Sequence, residues 1–238
     1  MTEVWDLDLD AQGSDWERYS SVLEESERVR AGRFVTFELR QRYAVTRGVL
    51  RVLAGMTLDR SPEQIRFDYS AHGKPSIVDG RGILFNVSHS GNRAVIAFSG
   101  AEVGVDIERV RPFSEPMNLV KRFFSAQERE AFEKVDAEEQ EALFFRCWTR
   151  KEAFVKALGD GLAFGLDTFT VPLAADCSDR PLIQDPRMPG RWWRFVPLDL
   201  KDGYVGAVVV DPGEGNIEQR QWGGLDTAVL NRQLGPKA

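Results

Sequence analysis

Two cysteines and two histidines stand in 238 residues, and that scarcity excludes several chemistries. His72 and His89 are too few for a multi-histidine zinc site, and with Cys147 and Cys177 they form no zinc-finger spacing. Two cysteines cannot knit a disulfide scaffold, so a reducing compartment is the economical expectation. Long apolar runs are missing too. AVIAF at 94–98 and VGAVVV at 205–210 fall far short of the roughly 20 residues that a membrane-spanning helix needs. The N-terminal MTEVWDLDLD lacks the basic-then-apolar order of a secretory signal. A cytoplasmic chain with no membrane partner is therefore expected. Positive charge is in deficit, 31 Lys and Arg against 37 Asp and Glu for a net −6, which argues against a nucleic-acid partner. Any metal must be held by carboxylates.

What is present is an ordinary globular composition, 42% hydrophobic, 29% charged and 11% aromatic, long enough to bury a sizeable core. Charge is unevenly placed. Between residues 28 and 51, seven arginines (28, 30, 33, 40, 42, 47 and 51) face one acid, Glu38, a segment suited either to an anion or to a solvated helix face.

Apolar alternation predicts a strand at 4–9. Ser14 with Glu17 has capping-box spacing and opens a helix to about Leu23. A long helix over 36–56 carries the arginines, with Gly55 as its stop. Short strands follow at 65–69, 83–88, 93–99 and 103–108, separated by Gly-containing turns. The second half repeats the order. Ser125 with Glu128 caps a helix toward Val135, a long helix spans 138–158 to Gly159, and strands recur at 169–171, 192–197 and 204–210. Laying Thr46-Arg47 on Thr149-Arg150 gives a weak register match between the halves. Residues 211–238 read as a trailing arm with one strand at most.

Period two puts Asp106 and Glu108 of VGVDIERV on one strand face, roughly 7 Å apart, where two carboxylates can close on a hard divalent cation. A solvated strand edge is the bland alternative. In the second long helix, Phe144, Cys147, Trp148, Phe154, Val155 and Leu158 form an apolar stripe with Lys151 in its middle. A lysine there costs free energy unless it reaches water or a partner, so the helix is expected to border a charged cleft. Glu152 and Lys156, one turn apart, read equally as an i,i+4 surface pair. FNVSHSGN ends a strand with Asn86, Ser88, His89 and Ser90, all hydrogen-bonding groups. Ser88 and His89 are strand neighbours and point to opposite faces, so they make no nucleophile–base pair. HGKP at 72–75 reads as a turn whose Lys74 can meet phosphate.

Together these segments resemble the 4′-phosphopantetheinyl transferases, in particular the long single-chain type that activates surfactin synthetase and similar carrier proteins. Val103, Gly104, Asp106 and Glu108 match V-G-x-D-x-E. Trp148, Lys151, Glu152, Ala153 and Lys156 match W-x-x-K-E-A-x-x-K. GKP at 73–75 and the N-x-S-H of Asn86, Ser88 and His89 lie upstream at the family's spacing.

The resemblance implies an α+β fold of two similar α/β subdomains related by a pseudo-twofold, each a long helix on a small, mostly antiparallel sheet. Residues 1–108 would form the coenzyme A phosphate and adenine side, and 109–238 the catalytic-helix and carrier side. It implies Mg²⁺-dependent transfer of phosphopantetheine from coenzyme A to a serine of an apo acyl or peptidyl carrier protein, releasing adenosine 3′,5′-bisphosphate. Asp106, Glu108 and Glu152 would bind Mg²⁺, with Mn²⁺ as an alternative. Glu152 would assist deprotonation, and Lys156 would stabilise the leaving phosphate. Arg30, Arg42, Lys74, Pro75, Asn86, Ser88, His89, Asp106, Lys151 and Lys156 form the coenzyme-binding set. The sequence departs from the pattern in carrying Glu27 where a second basic residue can occur. Lys121, Arg122, Phe123 and Phe124 are candidates for meeting the carrier, with core packing for at least one Phe. A monomer is expected. Two rival readings are a Mg²⁺-dependent nuclease and a non-catalytic coenzyme A binding protein.

Overall fold

The computed structural model describes residues 1–112, 116–159, 164–174, 182–201 and 203–225; Cys177 lies outside them. The chain runs β1 (Thr2–Asp8), α1 (Trp16–Ser21), α2 (Glu25–Gly32), α3 (Phe37–Leu58), β2 (Phe67–Tyr69), β3 (Pro75–Ile77), β4 (Leu84–Ser90) and β5 (Arg93–Ser99). It then repeats a strand, three helices and more strands: β6 (Val103–Arg109), α4 (Pro116–Phe123), α5 (Ala126–Lys134), α6 (Ala137–Leu158), β7 (Leu182–Gln184), β8 (Trp192–Pro197) and β9 (Tyr204–Val210). A last strand, β10 (Ile217–Gln221), follows. The fold is α+β, as the resemblance implies.

One four-stranded sheet has the order β10-β1-β5-β4 and a second β6-β9-β8-β7, while β2 and β3 pair as a separate two-stranded ribbon. All ladders are antiparallel except β1 with β10. Strand alternation sorts the side chains. In the first sheet Leu7, Leu9, Ile96 and Phe98 face α3 and pack on its Leu50, Leu53 and Ala54. In the second, Phe195, Ala207 and Val209 pack on Ala153, Phe154 and Ala157 of α6. The remaining faces meet each other, Val4, Val95 and Ala97 against Val103, Val105, Ile107 and Val208. The layers run helix, sheet, sheet, helix.

Several local expectations need correction. No side-chain cap forms at the start of α1, whereas α2, which was not expected, carries a capping box between Glu24 and Glu27. Gly55 does not end α3. The helix continues to Leu58 and stops at Asp59, whose φ of 54° is left-handed. Residues 169–171 form no strand, because their backbone groups bond to side chains of α5 and α6 instead. β6 ladders with β9, and β10 returns to the first sheet. Both long helices have 22 residues. Aligned end to end they place Arg51 on Lys151, so the register through Thr46 and Thr149 is off by three residues.

Candidate functional site

Gly104, Asp106 and Glu108 share the face of β6 that α6 covers. A Cβ at Gly104 would collide with Ala153 O and the Ala157 backbone of α6. Only glycine lets the helix approach this closely, and that approach sets Glu152 and Lys156 against the carboxylates. Lys156 Nζ lies 2.6 Å from Asp106 Oδ1 and also reaches Ser88 Oγ at 3.0 Å and Val105 O at 3.3 Å. Ser88 Oγ donates to the same Asp106 oxygen at 2.7 Å. The i,i+4 surface pair does not form, since the partner of Lys156 is Asp106 across the interface between helix and sheet.

Glu152 is half-buried, and its Oε1 has no hydrogen-bond partner among the described residues. Burial, followed by the nearby Asp106 charge, pushes its carboxyl up to about 7; Lys156 opposes the shift and Glu108 adds to it. Burial also raises the Glu108 carboxyl, against a hydrogen bond from Ser90 Oγ at 2.7 Å. Asp106 Oδ2 is a second buried oxygen with no partner among the described residues.

Among the described residues no three metal-ligand side chains converge into a ready-made cage. The donor set nevertheless fits a hard cation. Two unsatisfied carboxylate oxygens, Asp106 Oδ2 and Glu152 Oε1, are buried where an unpaired charge is costly, and all available donors are oxygens.

The other expected residues divide into those near this cluster and those committed elsewhere. Asn86 Oδ1 accepts the Val105 N–H at 2.9 Å and holds β4 to β6. His89 keeps an exposed edge, yet burial, followed by the Lys156 cation, lowers its pKa. Arg30 is exposed beside the Tyr43 ring, 5.7 Å from guanidinium carbon to centroid. Lys74 bonds Glu102 and Ala157 O, both at 3.0 Å. With Pro75, Tyr69, Leu158 and Gly159 it lines a cleft of about 410 Å³. Arg42 is turned away to Asp10 and Glu38.

The expectation that Lys151 borders a cleft is corrected. It is fully buried, with its ammonium bonded to Glu128 at 2.8 Å and to Leu166 O and Phe169 O, both at 2.7 Å. Three donors meet three acceptors. Partner residues, not water, hold this lysine in the apolar stripe.

The arginine-rich segment is likewise mostly spoken for. Glu27 lies between Arg47 and Arg51, and Arg51 also donates to Pro62 O and Ile65 O. Arg28 bonds Glu25 and Leu23 O. Arg30, Arg33 and Arg40 remain without an ion-pair partner among the described residues. The departure at Glu27 is thus an internal anchor of the first half. On α4, Lys121 and Arg122 are exposed and Phe123 packs edge-on against Trp148 at 5.4 Å, while Phe124 stacks on Phe144 in the core. Glu27 and Glu128 went unremarked as anchors because their partners lie 20 or more residues away. Only their capping-box spacing is visible locally.

Residues 102–209 match the family described as the 4′-phosphopantetheinyl transferase superfamily, and residues 9–101 match the one described as 4′-phosphopantetheinyl transferase, N-terminal. The chain is 40% identical over 211 residues to the 4′-phosphopantetheinyl transferase HetI of Nostoc sp., covering 87% of this chain and 86% of that protein. It is 34% identical over 201 residues to the 4′-phosphopantetheinyl transferase Sfp of Bacillus subtilis, covering 83% and 81%. The carboxylate cluster between β6 and α6 falls within the superfamily match, and the chain belongs to the 4′-phosphopantetheinyl transferases.

Proposed function

We propose that this transferase moves the 4′-phosphopantetheine arm of coenzyme A onto a serine hydroxyl of an apo carrier protein and releases adenosine 3′,5′-bisphosphate. The observation that carries the reading is the pairing of two unsatisfied buried oxygens, Asp106 Oδ2 and Glu152 Oε1, beside the Lys156 ammonium. Phosphoryl transfer needs such a site because negative charge spreads over oxygens that the protein must offset without reorganising.

Asp106, Glu108 and Glu152 would hold Mg²⁺, which when bound offsets charge on the pyrophosphate. Glu152 accepts the serine proton; without a cation burial holds its carboxyl near 7, and a bound cation would lower it. The serine oxygen bonds to the phosphorus that bears the pantetheine arm, and the bond from that phosphorus to the departing bisphosphate breaks. Lys156 meets the charge that appears on the departing oxygen. Lys74, His89 and Arg30 from the first half receive the nucleotide end, and the second half receives the carrier through Lys121, Arg122 and Phe123 on α4. The chain acts in the cytoplasm as a monomer, without nucleic acid.

The test is the mass of an apo carrier protein incubated with the enzyme, coenzyme A and Mg²⁺. A gain of one phosphopantetheine is expected, and an unchanged mass over a panel of acyl and peptidyl carriers would overturn the reading.

A further inference from the structure

Three alternate side chains of β4 face the edge of β6 that β9 does not use. Asn86 Oδ1 accepts the N–H of Val105 at 2.9 Å, Ser88 Oγ that of Ile107 at 3.4 Å and Ser90 Oγ that of Arg109 at 3.2 Å. They supply acceptors that a ladder strand would otherwise give. The two serines do more than satisfy backbone. A hydroxyl has one proton to donate, and once its lone pairs are turned to a backbone N–H the direction of that proton is fixed. Ser88 sends it to Asp106 Oδ1 and Ser90 to Glu108 Oε2, both at 2.7 Å.

The device therefore repeats: each serine takes an N–H from β6 and returns a proton to the carboxylate one residue earlier on that strand. Ser88 is also shared with Lys156, whereas the Ser90 hydroxyl serves Glu108 alone among the described side chains. Glu108 is a half-buried glutamate near the end of β6, and this hydrogen bond restrains a carboxylate that would otherwise sample several rotamers. With Oε2 held, Oε1 is the atom left to a ligand.

We infer that Ser90 is a positioning residue of the transferase, which holds the Glu108 carboxylate in the orientation from which it binds the metal. The inference rests on the reading of Asp106, Glu108 and Glu152 as metal ligands. Outer partners that orient a ligand typically change metal affinity by about 10–100-fold when removed.

The test is binding, without turnover. Mn²⁺ is titrated into enzyme saturated with coenzyme A in the absence of carrier, and free Mn²⁺ is read by electron paramagnetic resonance. Ser90→Ala should weaken Mn²⁺ binding by about tenfold. Ser90→Thr, which keeps the hydroxyl on a β-branched side chain suited to a strand, should restore it. Melting temperatures are measured beside each titration. A lower melting temperature in Ser90→Ala with unchanged Mn²⁺ affinity would reduce Ser90 to a cap on the Arg109 N–H and overturn the inference. Asp106→Ala separates the two readings. If it abolishes Mn²⁺ binding while Ser90→Ala does not shift it, only the role of Ser90 falls. If Mn²⁺ binds equally well to Asp106→Ala, the metal reading falls and Ser90 with it.

Discussion

The two halves use one plan for different ends. In each, a short helix opens with a capping box whose third residue is a buried glutamate, Glu27 on α2 and Glu128 on α5. That glutamate reaches the following 22-residue helix and pairs with a basic residue at the same helical position, Arg51 on α3 and Lys151 on α6. The first strands also correspond, both seven residues long. Where β6 turns Asp106 and Glu108 toward α6, β1 turns Trp5 and Leu7 toward α3. Where α6 offers Glu152 and Lys156, α3 offers Val52 and Met56. The glutamate–cation anchor is common to both halves, so it belongs to the architecture. The four polar positions occur in one half only, which is what the proposed chemistry would require of them. A motif containing both kinds, such as the run from Trp148 to Lys156, mixes scaffold and site.

The sharpest break of this comparison is at Glu152. Its counterpart Val52 is core, so a purely structural Glu152 should tolerate the isosteric Glu152→Gln. As a base and metal ligand it should not, and kcat should fall by about 10²–10⁴. Activity of the native enzyme should rise with pH as Glu152 ionises, with a midpoint that bound Mg²⁺ draws below the metal-free value of about 7. Stability should move the other way. The folded carboxyl holds its proton to about 7, whereas the unfolded one ionises near pH 4.3. The folded state therefore binds more protons between these values, and stability declines as pH rises across that window. Glu152→Gln should lose that decline. A pH–rate profile and urea melts at pH 5 and pH 8 check both. A variant with near-normal turnover and the native pH slope would make Glu152 a scaffold residue like Val52.

Removing the anchors should hurt unequally. Glu128→Ala leaves the fully buried Lys151 with two carbonyls and no counter-charge. It also strips the acceptor of the Val171 N–H. The expected loss is about 3–5 kcal/mol. Glu27→Ala leaves Arg51 with Pro62 O, Ile65 O and a longer contact to Glu24. Arg47 is 13% exposed and can turn to water. A loss of about 1–3 kcal/mol is expected. Urea unfolding measures both. The double variant Glu128→Leu with Lys151→Met, which removes the pair altogether, should regain most of the stability. Equal losses at the two sites would mean that the retained partners of Arg51 contribute nothing.

The fold was largely legible because its signals are local. Short apolar, β-branched and aromatic runs located β5, β8 and β9 to the residue, and the Ser125–Glu128 box opened α5 as its spacing required. Asp106 and Glu108 were assigned to one face by period two alone, and Gly104 then explains why α6 can cover that face. What stayed hidden depends on contacts distant in sequence. Periodicity alone predicts a cleft beside Lys151 because Glu128, 23 positions away, cannot be recognised from it as the partner. An i,i+4 pair with Glu152 stands as one reading of Lys156 because that spacing is visible, whereas Asp106, on another element, is not. The arginine run reads as suited either to an anion or to a solvated helix face because its counter-charges, Asp10 and Glu27, precede it in the chain. Residues 169–171 read as a strand because backbone committed to Glu128 and Lys151 carries the same apolar pattern as backbone in a ladder.

The smallest expected difference lies at the starts of the two long helices, and it separates hydrogen bonding from charge. Thr36 caps α3 by accepting the Leu39 N–H on Oγ1 at 3.2 Å. Asp136 stands at the same place before α6 and makes no side-chain cap bond. Its carboxylate acts only through the helix dipole, in company with Glu138 and Glu139 of the first turn. Thr36→Ala should therefore cost about 1 kcal/mol, and Asp136→Ala about 0.3–1 kcal/mol at low ionic strength. Salt distinguishes the mechanisms more cleanly than size does. The dipole interaction of an exposed carboxylate is screened, so the cost of Asp136→Ala should shrink toward zero in 1 M NaCl. The directional bond lost in Thr36→Ala should cost nearly as much at either salt. Glu152 and Lys156 lie about four turns or more beyond the cap, so turnover should change in neither variant. Melting temperatures at both ionic strengths are the measurement. A salt-independent loss at Asp136 as large as that at Thr36 would show that α6 is capped in solution by a side-chain bond after all, and that the two helices begin alike.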